Sequence, residues 1–448
     1  MSLIQGTGGG LGGAGAPGGS LAGGAVFSTT IDNSLRLNSD SSYLYFAQGT
    51  PTDISKWTIN FWLKRAHPLD DSSDYDAVFG VDGPGTTGLA FLSGNLYIFI
   101  NYNTGGSQAR LITNRVFRDP SAWYNFHITF DRAASTDAHK VRLYVNGVEE
   151  TSFSTDERSN ITSSSSSGWN VSGLTAAINR RSGAVNSRYH NGYFAQFYNI
   201  DGAVVAPTEF AETNGGVWVP KEYSGTYGNN GWLLEFKQTG TGTGAANTVG
   251  ADTSGRDNHW TSSGVASHDV MSGESPTNNF AVLNPLDVTI GTPGISEGNL
   301  RISGSGGGYD GTYATIAVTS GKWYAEFLYV SGDDRGFFGI VREDRLSYVS
   351  GGAYIGSIDD TYGIDFRARA YTGTSTTSSS GSQLFDQTNF DTGDIGLLCF
   401  DVDAGKLWFG RRDVSGSTTI WYDSSGNNNG DPSAGSNPTY TFTATGST

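Results

Sequence analysis

Large side chains recur at every second position in short runs bounded by turn residues, and that rhythm confines the chain to β-structure. In KWTINFWLKR, residues 56–65, Trp57, Ile59, Phe61 and Leu63 fall on one face and Thr58, Asn60 and Lys64 on the other. This is the period of a half-buried strand. YNFHITFD, residues 124–131, repeats it with Tyr124, Phe126, Ile128 and Phe130 inward and Asn125, His127, Thr129 and Asp131 outward. VRLYVNGVEE adds Val141, Leu143 and Val145, then Asn146-Gly147, a hairpin signal because both turn positions need positive φ. The rhythm returns later in SGKWYAEFLYV, which sets Trp323, Ala325 and Phe327 on one face, and continues through FFGIV, YGIDF and GDIGLLCFDVDAGKLWF, with a turn at 403–405. A 3.6-residue period is sustained nowhere, so the expectation is antiparallel β-sandwiches.

At 448 residues the chain suits two or three domains, each able to bury a sizeable core. The 64 glycines and the low charged fraction, 16%, disfavour helix and favour many turns. A formal net charge of −16 without a basic cluster disfavours nucleic acid and an anionic membrane as partners. No apolar run approaches the roughly 20 residues of a helical span, so membrane insertion is not expected. The first charged residue is Asp32, so the start lacks the positive region of a secretory signal, and synthesis in a cytoplasm is expected. The single cysteine, Cys399, excludes an intrachain disulfide and reads as a small hydrophobe in an apolar run.

The series WTINFWLKR, WYNFHITFD, VRLYVNGVEE and GYFAQFYNIDGAV resembles the concanavalin A-like jelly roll of the laminin G and pentraxin kind, over about Val26 to Glu212. SGKWYAEF, FFGIV and GDIGLLCFDVDAGKLWF are similar to a SPRY domain, a second antiparallel sandwich, over roughly Leu300 to Thr448. SPRY domains usually run on past the point matched by NPTYTFTATGST to final strands that complete the sheet, so the expectation is that the chain stops early, that the fold closes differently or that a neighbouring subunit covers the open edge. Between the two, residues 201–236 and 275–287 resemble a connector found in structural proteins of tailed bacteriophages. The expected layout is thus all-β: a Gly-rich N-terminal anchor at 1–25, a concanavalin A-like sandwich at 26–212, an irregular connector at 213–298 and a SPRY-like sandwich at 299–448.

Catalytic motifs fail their context. GISEG, residues 294–298, has G-x-S-x-G spacing, but a nucleophile elbow needs a strand before Ser296, a helix after it and a later histidine, and no His follows His268. Gly8, Gly10 and Gly13 have G-x-G-x-x-G spacing without flanking strand and helix. The jelly-roll glycoside hydrolases of the laminarinase type carry Glu-x-Asp-x-x-Glu on one strand, and no Glu here has Asp two residues on. The six histidines lack zinc-site spacing. Asp70, Asp71, Asp74 and Asp76 crowd one loop segment, and because oxygen-rich rim loops suit Ca²⁺ they are the candidate calcium ligands; a solvated acidic loop accounts for them as well. Most aromatics alternate within strands as core, whereas Tyr102, Trp169, Tyr189 and Tyr309 lie in turn-rich surroundings and are the candidates for stacking on sugars.

The resemblance implies a non-enzymatic virion protein needing no cofactor: a phage tail fibre or appendage subunit, with capsid decoration or a glycan-cleaving tail enzyme as alternatives. Its N-terminal residues would meet other virion proteins. It would assemble as a homo-oligomer, trimers being common in such fibres, and its sandwich loops would bind host surface glycan or protein.

Overall fold

A computed structural model describes residues 2–5, 27, 29–38, 41–67, 75–81, 86–102, 108–180, 189–286, 290–304, 310–332, 335–342, 354–373 and 381–443. The chain divides into two compact units, residues 23–279 and residues 1–22 together with 280–448. Helix among the described residues is limited to pieces of three or four residues, such as Asp137–Lys140.

The first unit is two antiparallel sheets face to face. One runs in the order Val148–Glu149, Val141–Val145, Trp123–Asp131, Lys56–Arg65, Gly192–Asp201, Asn33–Leu37, Val270–Ser272, with Trp232–Leu234 also pairing Gly192–Asp201. The other runs Phe153–Asp156, Ala109–Val116, Asn95–Tyr102, Thr86–Leu92, Tyr75–Val81, Thr175–Ile178, Tyr43–Ala47, Thr261–Ser263. Trp57, Ile59, Phe61 and Leu63 all enter the core between them, as the alternation predicts. Phe61 stacks on Phe197 at 4.5 Å between ring centroids and meets Phe79 edge-on at 6.1 Å, so aromatic contacts tie one sheet to the other. Burying each such side chain stabilises by about 1.5–3 kcal/mol before entropy is counted.

Two local devices shape this sheet. The Asn146-Gly147 turn has φ of +50° and +78°, as its sequence requires. A β-bulge between Ala195 and Tyr198, with Gln196 at φ +39°, resets the period so that Phe194 and Phe197 both join the core.

The segment expected as an irregular connector departs most from the sequence reading. Residues 213–279 belong to the first unit, and its boundary lies at 279 rather than 212. Trp232–Leu234, Thr261–Ser263 and Val270–Ser272 are strands of the two sheets, and Trp232 and Trp260 are buried with ring centroids 4.9 Å apart. Sparse apolar residues suffice here because the few present are large and each fills a gap between sheets.

The same segment changes the predicted half-burial of Lys56–Arg65. Every residue from Trp57 to Arg65 is buried, because residues 203–279 lie across the outer side of the strand. Under that roof Trp62, Ala195 and Ala211 pack with Trp123 and Trp218, while Tyr198, Ile200, Phe210 and Leu233 form a neighbouring cluster. A Cβ added at Gly147 would stand 2.6 Å from the Trp218 ring, so the hairpin glycine also makes room for the roof.

The second unit pairs the strands Lys322–Leu328, Ile395–Asp401, Lys406–Arg412 and Thr419–Trp421 in one sheet and Phe337–Val341, Thr361–Asp365, Arg369–Gly373 and Gly381–Asp386 in another. Ala325, Leu398, Leu407 and Phe409 from the first meet Phe338, Ile364, Ala370 and Phe385 from the second. Ser2–Gln5, from the segment expected as an anchor, forms an antiparallel strand on the edge of Lys322–Leu328, with Leu3 opposite Ala325. That sheet edge is thus covered by the chain's own beginning, and residues 6–25 of the expected anchor lie outside the described residues. GISEG forms one arm of a β-hairpin, Gly294–Ser296 pairing Arg301–Ser303, instead of a strand-to-helix elbow. Cys399 sits part-buried in the Ile395–Asp401 strand, where burial, aided by Asp401, pushes its thiol up to about 11.

Candidate functional site

The two sheets of the first unit end differently on their outer sides. Polar residues beneath the roof are bonded to it: Lys64 Nζ donates to Glu274 Oε1 at 3.1 Å and to Asn279 Oδ1 at 2.7 Å, and Trp123 Nε1 donates to the same Glu274 oxygen at 2.9 Å. Trp218 Nε1 donates to Asn125 Oδ1 at 3.0 Å, and Thr58 Oγ1 donates to the Ala203 carbonyl at 2.9 Å. His127 Nε2 lies 3.0 Å from the Val205 carbonyl. Burial holds His127 down at about 3 against the raising effect of that carbonyl, and burial likewise lowers Lys64 while Glu274 opposes it. This face is closed by its own chain.

The other sheet carries an aromatic platform toward one margin. The Tyr43–Ala47 strand lies between Thr175–Ile178 and Thr261–Ser263. Leu44 faces the core, so alternation turns Tyr43 and Tyr45 to the outside. Tyr45 is 38% exposed, and its ring lies 5.8 Å from Tyr43; Tyr189 lies 6.1 Å from Tyr43 on the other side. Across the sheet, Tyr45 pairs Ala177, Ala177 pairs Gly80 and Gly80 pairs Gly88, a row of small side chains beside the tyrosines. Beyond it Tyr97, Phe99 and Ala90 form a buried outer cluster.

Arg180 completes the platform. Asn179, at φ +66°, takes the chain out of the Thr175–Ile178 strand, its amide donating to Val78 O at 2.7 Å and its Nδ2 to Ser42 O at 2.8 Å. Those bonds bring Arg180 over the Tyr43 ring, with the guanidinium carbon 4.7 Å from the centroid. Arg180 Nε is buried without a hydrogen-bond partner, and the guanidinium meets no carboxylate among the described residues.

The predicted site residues are dispersed. Trp169 is a correction: it is buried, its ring 5.0 Å from Phe79 and 6.4 Å from Trp57, with Nε1 donating to Asn199 Oδ1 at 2.9 Å. The serine-rich loop before it folds inward, and Ser167 Oγ accepts from Trp57 Nε1 at 3.0 Å, so turn-rich surroundings here close the core. Tyr189 stands part-buried on the platform. Tyr102 ends the Asn95–Tyr102 strand with its side chain outside the described residues, as are Tyr309, Asp70, Asp71 and Asp74. Asp76 is committed to cationic neighbours: Oδ2 accepts from Arg65 at 3.1 Å and lies 2.8 Å from His190 Nδ1. Burial works to raise its pKa, but His190 and Arg65 outweigh it and hold the carboxyl below its usual value. A carboxylate so placed is a poor calcium ligand, and among the described residues no three His, Cys, Asp or Glu are grouped to hold a metal.

The sequence reading missed Tyr43, Tyr45 and Arg180. Two signals were present: tyrosines two apart in YLYFA, and a stretch from Arg158 to Ile200 that holds four arginines and no Asp or Glu in a chain of net charge −16.

A family profile described as the Concanavalin A-like lectin/glucanases superfamily matches residues 38–204. The first unit is a concanavalin A-like jelly roll. Among solved structures, this chain is similar to a heptameric SAP-like pentraxin from Limulus polyphemus, at 15% identity over 40% of this chain and 80% of that one, TM-score 0.29. Domain 4 of an extracellular arabinanase from Geobacillus stearothermophilus, in complex with arabinotriose, matches at 16% identity over 40% and 77%, TM-score 0.28. Mouse laminin alpha1 domains LG4-5 match at 8% identity over 92% and 80%, TM-score 0.29. No curated protein matches significantly. Outside residues 38–204 the jelly roll draws on the roof and the Thr261–Ser263 margin strand, neither of which the profile covers.

Proposed function

We propose that this chain is a non-enzymatic adhesion protein that binds glycan on the Tyr43–Tyr45–Tyr189 platform of its jelly roll. The platform itself carries the reading. Aromatic faces stack on the apolar faces of sugar rings, and they do so best when held rigid on a sheet, where little side-chain freedom is lost on binding. The hydroxyls of Tyr43, Tyr45 and Tyr189 make no hydrogen bond among the described residues and are available to sugar hydroxyls. Acidic side chains near the first core serve structure: Asp76 pairs Arg65, Glu274 pairs Lys64 and Asp269 pairs Arg36.

Within that reading the chain is a virion component, a tail fibre or appendage subunit of a tailed phage, with a SPRY-like second unit. The phage-type phrases around 201–236 and 275–287 support this. Its assembly is a homo-oligomer, a trimer by analogy with fibres, in which repeated weak glycan sites act together through avidity. Residues 6–25 are the segment left to meet other virion proteins.

The test is a glycan array probed with the purified chain and with Tyr45→Ala. Binding by the parent that falls about tenfold or more in the variant supports the platform, since one lost stacking contact contributes about 0.5–1.5 kcal/mol per site and avidity multiplies it. Release of reducing ends from a bound polysaccharide would overturn the non-enzymatic reading. Particles labelled with antibody to the chain and imaged by electron microscopy decide the virion assignment, which an unlabelled virion would defeat.

A further inference from the structure

We infer that the platform selects an anionic glycan, a sugar bearing a carboxylate or sulfate, through Arg180. This deepens the glycan reading above and rests on it. A guanidinium on a protein surface ordinarily has a carboxylate partner, and this chain has a large surplus of acids to provide one, 43 Asp and Glu against 27 Lys and Arg. Many arginines here have one: Arg110 pairs Glu157 at 2.6 Å, Arg142 pairs Glu149 at 2.7 Å and Arg412 pairs Glu326 at 2.9 Å, while Arg132 and Arg256 donate to the Ser165 carbonyl and to Asn229 instead. Arg180 has none of these. It lies over Tyr43 at 4.7 Å, with Nε buried and unbonded, in the longest stretch of sequence without acids, Arg158 to Ile200.

The Nε edge is shut off from solvent, so a ligand meets the guanidinium at its terminal amino groups, which donate to no acceptor among the described residues. An anion suits them best, because the two terminal amino groups form a planar fork that matches the two oxygens of a carboxylate or sulfate. The Tyr43 ring holds the guanidinium from one side, and the bonds of Asn179 to Val78 and Ser42 fix the backbone that carries it. The sugar ring of the same residue would then rest on Tyr45 or Tyr189, each about 6 Å from Tyr43. The overall negative charge repels polyanions from most of the surface, so an acidic glycan is drawn to a guanidinium such as Arg180 that meets no carboxylate among the described residues.

The experiment compares oligogalacturonate with its methyl ester, and chondroitin sulfate with unsulfated chondroitin, by titration calorimetry on the full chain, its Arg180→Gln and Arg180→Lys variants and Tyr45→Ala. Arg180 meets no carboxylate among the described residues and loses only its contact with Tyr43, so thermal melting of both Arg180 variants should lie close to the parent and serves as the folding control. The expected result is that the parent prefers the charged member of a pair by about tenfold or more, that Arg180→Gln abolishes the preference, and that Arg180→Lys restores it only in part. Equal binding of charged and uncharged members, unaltered in Arg180→Gln, overturns the anionic selection and leaves the glycan platform standing if Tyr45→Ala still weakens both. A charge preference that survives Arg180→Gln also overturns it, since the charge would then be read elsewhere. Failure of the parent to bind any glycan in these pairs or on the array overturns both readings together.

Discussion

The two outer faces of the jelly roll are built from the same alternating grammar and come to opposite ends. On one, Thr58, Asn60, Lys64, Asn125 and His127 occupy the positions that alternation assigns to solvent, yet all are buried beneath residues 203–279 and hydrogen-bonded there. On the other, Tyr43 and Tyr45 occupy equivalent positions with no such cover among the described residues, and the Tyr45 ring is 38% exposed. The closed face thus takes both polar residues and the aromatic Trp62, Trp123 and Tyr198 under its roof, so the residue types alone do not mark which face is open. Burial of polar groups is tolerated where each finds a partner. Exposed aromatic rings are retained where they have something to bind.

The comparison is most severely tested at Glu274. Glu274→Ala removes the carboxylate that lies 3.1 Å from the fully buried Lys64, and unfolding by urea should show a loss of about 3–5 kcal/mol. A loss under 1 kcal/mol would mean that water reaches the closed face and that the contrast drawn here is false. Acid supplies a second test. His127 stays neutral in the folded chain down to about 3, whereas in the unfolded chain it takes up a proton below about 6.5. The unfolded state therefore binds more protons across that window, and stability contributed by this group is complete above about 6.5 and falls as the pH drops toward 3, by on the order of 4 kcal/mol in all. Urea midpoints measured from pH 7 to 4 should show that slope, and His127→Gln should remove its share of it.

Smaller effects sharpen the contrast. Deleting residues 2–5 removes a four-residue strand from the edge of Lys322–Leu328 and should cost the second unit roughly 1–3 kcal/mol. Amide exchange should quicken along Lys322–Leu328 and remain unchanged in the jelly roll; unchanged exchange in both would show that the strand does not hold that edge. Least disturbing to stability is Tyr45→Ala, expected within about 0.5 kcal/mol of the parent because its ring is exposed, while glycan binding falls. A large destabilisation would make Tyr45 a packing residue instead of a binding one.

Much of the fold was legible in the sequence because strand period and turn chemistry are local. The inward sets of Lys56–Arg65 and Trp123–Asp131 and the Asn146-Gly147 turn are in the structure where the pattern puts them. The extent of the first unit was not legible. Trp260 stands alone among polar residues and Trp232 and Val270 head apolar runs of only two or three residues, so only their meeting with distant strands reveals them as belonging to the core. Of the four aromatic candidates for stacking, Trp169 lies in the core and Tyr189 on the platform, a difference that their similar turn-rich neighbourhoods do not disclose.

Alternation, turn residues and charge balance by themselves determined an all-β chain of two antiparallel sandwiches, because each acts over a few neighbouring residues or over the whole composition. The tertiary structure alone decided which outer face is roofed, that Asp76 is held by Arg65 and His190, and that Arg180 lies over Tyr43 without an acid. Those facts depend on residues far apart in the chain meeting at fixed geometry. Such meetings are set by how sheets pack and where the returning chain lies, which no short-range pattern encodes.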